Sequence, residues 1–445
     1  MKQTSFSKPR WPALALALAV ASIFADLAGR AAETNALTLE AAIGMALTHN
    51  AELRASRGRV EAAAGRAEQA RQWTNPELEL SVEDVPARRG SFSDSKNLIG
   101  LAQTVPWPGK KKLDGQIGAT GTRESEAEAS LRRVELARDV KTAFFRVLTE
   151  ERLASVAAEL LKFAEAAATT ARKRVAAGAA PDQEQLRAEI QSEQARAELA
   201  GFERELAGAR QDLAALLGRP DWSDAKLAGA LAEKPDFSLL ENATERWLTN
   251  HPSVAAARLA CERAELELRR ARLEPYPDVR LGVAGGREGR EDNALVEFRM
   301  SVPLPIVDRS KGRQQEARAN VRVAEADVAI AEQRLRRAWA GASQRFRTAA
   351  DQASAYRDRI VPKATEALRL VQIGFEQGKL GFIDLLDTQR TTAEVRLAYQ
   401  RKLFELNSAH AEIESLLDAA SLPNKANPPL PQNENHFHEH HPSQP

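Results

Sequence analysis

The sequence predicts a mainly α-helical chain with a membrane β-barrel portion, arranged as two tandem repeats of helix, strand, strand, long helix, long helix. Three observations predict this: an internal duplication, runs without Gly or Pro that are too long for a globule, and short alternating stretches between them. Slid over itself without a gap, the sequence matches Arg57, Glu61, Ala63, Ala70, Arg71, Pro76, Leu80 and Val82 to Arg258, Glu262, Ala264, Ala271, Arg272, Pro277, Leu281 and Val283, a displacement of 201 residues. Val105-Pro106 and Pro108 return as Val302-Pro303 and Pro305, displaced by 197, and Gly178 with Leu186 returns as Gly378 with Leu386, displaced by 200. A duplication on this scale sets the organisation before any element is assigned. The repeats are read as 32–230 and 231–422.

Composition agrees. Aromatic residues are 5% of the 445 while charged residues are 28%, and Ala dominates the apolar 43%. Compact cores lean on large side chains, whereas long helices packed side by side can use Ala. The balance of 63 Lys+Arg against 62 Asp+Glu leaves a formal charge of +1, which offers no field to hold nucleic acid. A single Cys excludes a disulfide framework.

The first element is a leader. Lys2, Lys8 and Arg10 precede an apolar run from Trp11 to Leu27, and Gly29 with Ala31 supply small residues for cleavage, so 1–31 reads as a secretory signal peptide, with an uncleaved anchor as the alternative. Cys261 lies mid-chain, so amino-terminal lipidation is not expected. No later segment is apolar enough to cross a bilayer as a helix, in line with a mean hydropathy of -0.43.

The strands come next. Val296, Phe298, Met300 and Val302 alternate with Glu297, Arg299 and Ser301, and Leu78, Leu80, Val82 and Val279, Leu281, Val283 repeat the pattern, with Ile99, Leu101 and Val105 weaker. Each has one polar face and roughly the ~9–11 residues that a tilted membrane strand needs. The connections Val85–Asn97 and Gly285–Asn293 are polar, as extracellular loops are. Four strands cannot close a barrel, and open edges are intolerable in lipid, so membrane strands here require several chains to share one barrel. A small soluble sheet capping a helical rod is the other reading of the same pattern.

The long helices follow. Arg123 to Val175 contains neither Gly nor Pro, 53 residues or about 80 Å of helix. Phe382 to Leu422 gives another 41, in which Tyr399, Leu403, Leu406, His410, Ile413 and Leu417 recur at coiled-coil spacing. Gly178 and Gly378 mark the tips of two helical hairpins.

Together these features resemble the TolC family of outer-membrane efflux channels. Leu37-Thr38-Leu39-Glu40-Ala41-Ala42 with His49-Asn50-Ala51-Glu52-Leu53 is similar to that family's first helix, and Asn250-His251-Pro252-Ser253-Val254 to its counterpart in the second half. Thr104-Val105-Pro106-Trp107-Pro108-Gly109-Lys110 resembles the heavy-metal branch, the outer-membrane components of cobalt–zinc–cadmium and copper–silver systems. The resemblance implies a homotrimer in the outer membrane of a Gram-negative bacterium, with four strands per chain in a shared 12-strand barrel that continues as a periplasmic coiled-coil tube. It also implies a periplasmic adaptor and an inner-membrane RND transporter as partners, outer-membrane lipid around the barrel, and export of heavy-metal cations from periplasm or cytoplasm to the exterior. A duct for drugs or secreted proteins is the alternative within the fold; a periplasmic coiled-coil adaptor or scaffold without a barrel is the alternative from another class.

No nucleophile-elbow, phosphate-loop or zinc-protease motif is present, so no enzymatic activity and no cofactor are expected. Asp384 and Asp387 stand where the family carries cation-binding aspartate rings at its periplasmic entrance, and their spacing of three puts both on one helical face. Glu184 holds the matching place in the first tip, where the family builds its closed-gate network. Two residues depart from that network: Phe375 replaces a hydrogen-bonding Tyr and Leu380 an ion-pairing Arg, which points to apolar closure instead. The tail 423–445, read as disordered, carries His436, His438, His440 and His441 beside Glu439, imidazoles able to chelate zinc, copper, cobalt or nickel. His410 reads as a core histidine, His49 and His251 as capping or turn residues, and Cys261 as a buried small residue.

Overall fold

The computed structural model describes residues 36–85, 95–241, 246–288, 293–377 and 379–421. Residues 1–31, read as a leader, Gly378 and the tail with His436, His438, His440 and His441 lie outside the described residues, as do parts of both strand connections. The first half runs β1 (Ala36–Thr38), α1 (Leu39–His49), α2 (Ala51–Arg71), β2 (Glu77–Glu83), β3 (Lys96–Val105), α3 (Lys110–Ala176), α4 (Asp182–Leu217) and β4 (Lys226–Ala228). The second runs α5 (Ser238–Glu241), α6 (Arg246–Asn250), α7 (Pro252–Arg272), β5 (Val279–Glu288), β6 (Asn293–Ser301), α8 (Lys311–Ala355), α9 (Val361–Glu376) and α10 (Phe382–Ser421).

The duplicated residues account for matched local structure. α2 and α7 begin and end 201 residues apart. Their N-caps are Asn50, whose Oδ1 accepts from the amides of Glu52 and Leu53 at 2.9 and 3.2 Å, and His251, whose Nδ1 accepts from the amide of Ser253 at 3.2 Å. The repeat partner of the His251 cap is therefore Asn50, while His49 closes α1 with Nδ1 3.1 Å from the Met45 carbonyl. At the first hairpin tip, Gly178 adopts φ 70°, which lets its amide reach Val175 O at 2.9 Å and that of Ala179 reach Arg174 O at 2.8 Å, so the last carbonyls of α3 are satisfied.

Two apolar clusters hold the helices. Phe144, Val140, Val147, Leu213 and Leu217 join α3 and α4 to Ala46 of α1 and Leu53 of α2. Phe346, Ala349, Ala350, Leu403, Leu406 and Ile413 join α8 to α10, with Tyr399 and Leu417 packed alongside as the seam spacing requires. His410 lies on that seam, its ring 5.8 Å from Phe346, yet it is only half-buried. Cys261 is also half-buried rather than enclosed.

Three features differ from the sequence reading. α3 starts at Lys110 and runs 67 residues, about 100 Å, through Gly115, Gly118 and Gly121. Those glycines are contact residues: a Cβ on Gly118 would lie 2.7 Å from Ala67 Cα, and one on Gly115 would lie 3.0 Å from Arg71 Cγ. β1 and β4 form a parallel pair, Ala36 opposite Lys226 and Thr38 opposite Ala228, too short to show alternation. α8 and α9 are joined by a π-helical turn, Tyr356–Ile360, directly before Pro362, whose missing amide the widened turn accommodates.

Candidate functional site

The larger sheet has the order β2-β3-β5-β6, antiparallel throughout. Its register puts Leu78 opposite Leu101, Leu101 opposite Val283, and Val283 opposite Phe298, so one apolar row crosses all four strands. That face is bare: Leu80 is 72% exposed, Phe298 82% and Met300 70%. An uncovered apolar face of this extent marks a surface made for lipid rather than water. The opposite face carries Glu79 opposite Gly100, Gly100 opposite Ala284, and Ala284 opposite Glu297. Small residues line the centre of the two middle strands, which carry Lys96 and Arg280 towards their ends, and charged residues line the outer two. A Cβ on Gly100 would lie 2.7 Å from the Ala284 Cβ, so the backbone there has no room for a side chain.

Over this small-residue floor the charges interlock. Arg280 pairs with Glu77 at 2.7 Å and with Glu79; Arg299 reaches Glu79 at 3.4 Å and Glu83 at 3.2 Å; Lys96 bridges Glu83 at 3.7 Å and Glu297 at 3.3 Å. Polar inside and apolar outside is the alternation of a water-filled membrane barrel. β2 and β6 have a strand partner on one side only among the described residues.

Where β3 turns into α3, the Pro-x-Pro-Gly-Lys segment becomes a joint. The Asp278 carboxylate accepts from the amide of Trp107 at 2.8 Å and from Lys110 Nζ at 2.9 Å, and Trp107 stacks on Tyr276 with centroids 5.1 Å apart. Burial works against ionisation of Asp278, but the Trp107 amide and the Lys110 ammonium outweigh it and hold the carboxyl below its ordinary range. Lys110 is buried at 5% exposure while Asp278 is partly exposed, and the pair joins the first repeat to the second. Gly109 caps α3 at φ 93°.

At the opposite end of the helices the hairpin tips meet. Phe382 and Leu386 of α10 pack against Ala168 and Ala171 of α3 and Ala188 of α4, with Phe375 beside them 6.0 Å from Phe382. Phe375 thus belongs to an apolar contact between hairpins. Leu380 folds over Gly374, where a Cβ would lie 2.6 Å from its Cδ1, and its amide donates to Gly374 O. Glu184 pairs with Arg174 at 2.9 Å across the first tip. Asp384 accepts from the amide of Gly381 at 3.0 Å and so caps α10, while Asp387 makes no ion pair or side-chain hydrogen bond among the described residues. Both aspartates are exposed. The structure therefore gathers Phe375, Leu380, Asp384 and Asp387 around the second tip and puts Glu184 at the first. Among the described residues there is no group of three or more His, Cys, Asp or Glu placed to hold a metal, and no helix long and apolar enough to cross a membrane.

A sheet apolar on one face and charged on the other, continued by long helices of which one reaches about 100 Å, defines a barrel-forming membrane channel subunit. The chain belongs to the outer membrane efflux protein family, whose model matches residues 42–219 and again residues 243–418. It is 29% identical over 386 residues to the cobalt-zinc-cadmium resistance protein CzcC of Cupriavidus metallidurans, covering 86% of this chain and 90% of the relative. Among solved structures, a membrane protein from Pseudomonas aeruginosa superposes with a TM-score of 0.74 at 23% identity, covering 85% of this chain and 90% of that one. CusC, described by its structures as forming a transmembrane channel, superposes with a TM-score of 0.74 at 18% identity, covering 85% and 91%. Family membership places the chain in the outer membrane, and the family is one of efflux channels rather than enzymes.

Proposed function

We propose that this protein is the exit duct of a tripartite efflux system that carries heavy-metal cations to the exterior, assembled as a homotrimer with a periplasmic adaptor and an inner-membrane RND transporter. The observation that carries the substrate class is the likeness to a cobalt-zinc-cadmium resistance protein along most of both chains. The Pro-x-Pro-Gly-Lys segment supports it as well, although its structural work in the joint with Asp278 accounts for Trp107 and Lys110 without a metal. The open edges of β2 and β6 support the shared barrel.

In this reading Asp384 and Asp387 form the cation-accepting mouth, each multiplied by the ring. Exposed carboxylates without a third ligand hold a divalent ion weakly, which suits passage over storage. Phe375, Phe382 and Leu386 keep the tips together by apolar contact, Leu380 stiffens the turn, and Glu184 secures the first tip. The tail histidines His436, His438, His440 and His441 supply imidazoles for the same cations.

The test is growth of a strain lacking this chain on zinc, cobalt, cadmium, nickel, copper and silver, with detergents and dyes as comparison. Sensitivity confined to one metal group is the expected result. Sensitivity to drugs or detergents alone would keep the channel and remove the metal.

A further inference from the structure

Carboxylates are held differently at the two ends of the molecule. At the second tip Asp384 accepts only from the Gly381 amide, and Asp387 makes no ion pair or side-chain hydrogen bond among the described residues, so both charges stand exposed and uncompensated. On the polar face of the sheet each carboxylate of β2 and β6 has a cation. Glu77 has Arg280, Glu79 has Arg280 and Arg299, and Glu83 and Glu297 each have Arg299 and Lys96. Strand neighbourhood alone does not produce these pairs. Arg299 stands on β6, at the opposite edge of the sheet from β2, yet its guanidinium lies 3.4 Å from Glu79 Oε2, 3.2 Å from Glu83 Oε1 and 3.3 Å from Ser81 Oγ. It crosses two intervening strands, over Gly282 and Ala284 of β5 and Gly100 and Ala102 of β3, where larger side chains would block its path. A planar fork with five donors lets this one guanidinium serve Glu79, Glu83 and Glu297 together, which a point-charge ammonium does less well.

We infer that this arginine lattice is a release device: the protein fills the carboxylates of its barrel with its own cations, so that ions gathered at Asp384 and Asp387 are not held a second time on the way out. The inference rests on the metal-duct reading for the identity of the traffic, and it assigns Arg280 and Arg299 a part in selectivity. Glu77, Glu79 and Glu83 share one face of β2, with Glu77 and Glu79 about 7 Å apart along the strand. Stripped of counter-charge, such a row repels itself and draws in a divalent cation, and a ring of protomers multiplies it. With the lattice in place, Arg280, Arg299 and Lys96 stand against Glu77, Glu79, Glu83 and Glu297, which brings the face close to neutral. Exposed pairs of this kind add little to stability, so their effect on a passing ion is the larger consequence.

The experiment reconstitutes the full chain in planar bilayers and titrates zinc chloride against the potassium current. The variant Arg280→Gln with Arg299→Gln is expected to reach half-block at roughly tenfold lower zinc than the unsubstituted channel, with its reversal potential in a potassium chloride gradient moved towards cations. Adding Glu79→Gln and Glu83→Gln to that variant is expected to restore the original zinc tolerance. Equal half-block with and without the two arginines overturns the inference. Sensitivity that survives removal of the two glutamates overturns it as well, because the zinc then binds elsewhere. Arg299→Gln alone, which leaves Arg280 on Glu77 and Glu79, gives a smaller shift in the same direction where the double variant fails to assemble, and no shift there is equally fatal. A deletion strain sensitive only to drugs would remove metal as the cargo while leaving the zinc titration as it is, so the two failures are distinguishable.

Discussion

His251 shows how one residue can both cap a helix and limit its stability. It is 5% exposed, and burial lowers its imidazole from 6.5 to about 4, so it stays neutral and can accept from the Ser253 amide. The fold therefore favours the neutral form. Stability from this group is complete above pH 6.5 and is lost as pH falls from there towards 4, by at most about 3 kcal/mol. His251→Asn copies the cap used at Asn50, and thermal melts of the variant in detergent are expected to lose the His-dependent slope between pH 6.5 and 4. The two aspartates of the second tip separate in a similar way. Asp384→Ala removes the cap on Gly381 and costs about 1 kcal/mol, whereas Asp384→Asn keeps an acceptor and removes only the charge. Asp387→Ala has no cap to lose. Cation preference in planar bilayers is expected to fall with Asp384→Asn and Asp387→Ala while melting stays unchanged; unaltered preference in both would remove the mouth from Asp384 and Asp387.

At the scale of elements, the sequence was informative where periodicity runs long and silent where a contact decides. The alternation of Val296, Phe298 and Met300 identified β6, and the spacing from Tyr399 to Leu417 identified the seam of α10, because each pattern repeats several times. Gly115 and Gly118 precede the Gly-free run that starts at Arg123, yet both sit inside α3, since their missing side chains admit Arg71 and Ala67 of α2. Only a neighbouring helix reveals that. Pro362 was a visible signal for the interruption between α8 and α9, and β1 with β4 gave none. The residues of the second tip were legible as a cluster, but the partners of Phe375 were not, because Ala168, Ala171 and Ala188 lie some 200 residues away in sequence. Packing there predicts that Ala171→Phe, at a fully buried position, wedges the hairpins apart. Basal conductance is expected to rise several-fold; an unchanged conductance would show that this contact does not hold the duct shut.

For the whole molecule, the apolar band on the sheet is the feature that commits the protein to a bilayer. Burial of Leu80 and Phe298 in lipid makes a charge at either site cost about 2–4 kcal/mol near the midplane, whereas a charge on the polar face meets water. Leu80→Lys and Phe298→Lys are therefore expected to deplete the protein from the outer-membrane fraction, with Ser81→Lys recovered as the unsubstituted chain is. Equal recovery of all three would remove lipid from the band. This division was legible in the alternating residues, while the Gly and Ala floor of β3 and β5 beneath the ion pairs came from the strand order, which alternation does not specify.

The π turn before Pro362 gives the two hairpins different mechanics. α3 is a continuous beam of 67 residues, whereas its counterpart is notched at Tyr356–Ile360 and carries 16 residues of α9 beyond the notch. Those residues extend about 24 Å beyond the notch along α10, and none of their side chains is fully buried. A deflection of only about 10° at the notch moves the far end, where Phe375 packs on Phe382, through roughly 4 Å, more than the reach of a hydrogen bond. The position of Phe375 against Phe382 is thus tied to an angle two dozen ångströms away, and a stiffer residue at the notch shifts that contact without touching it.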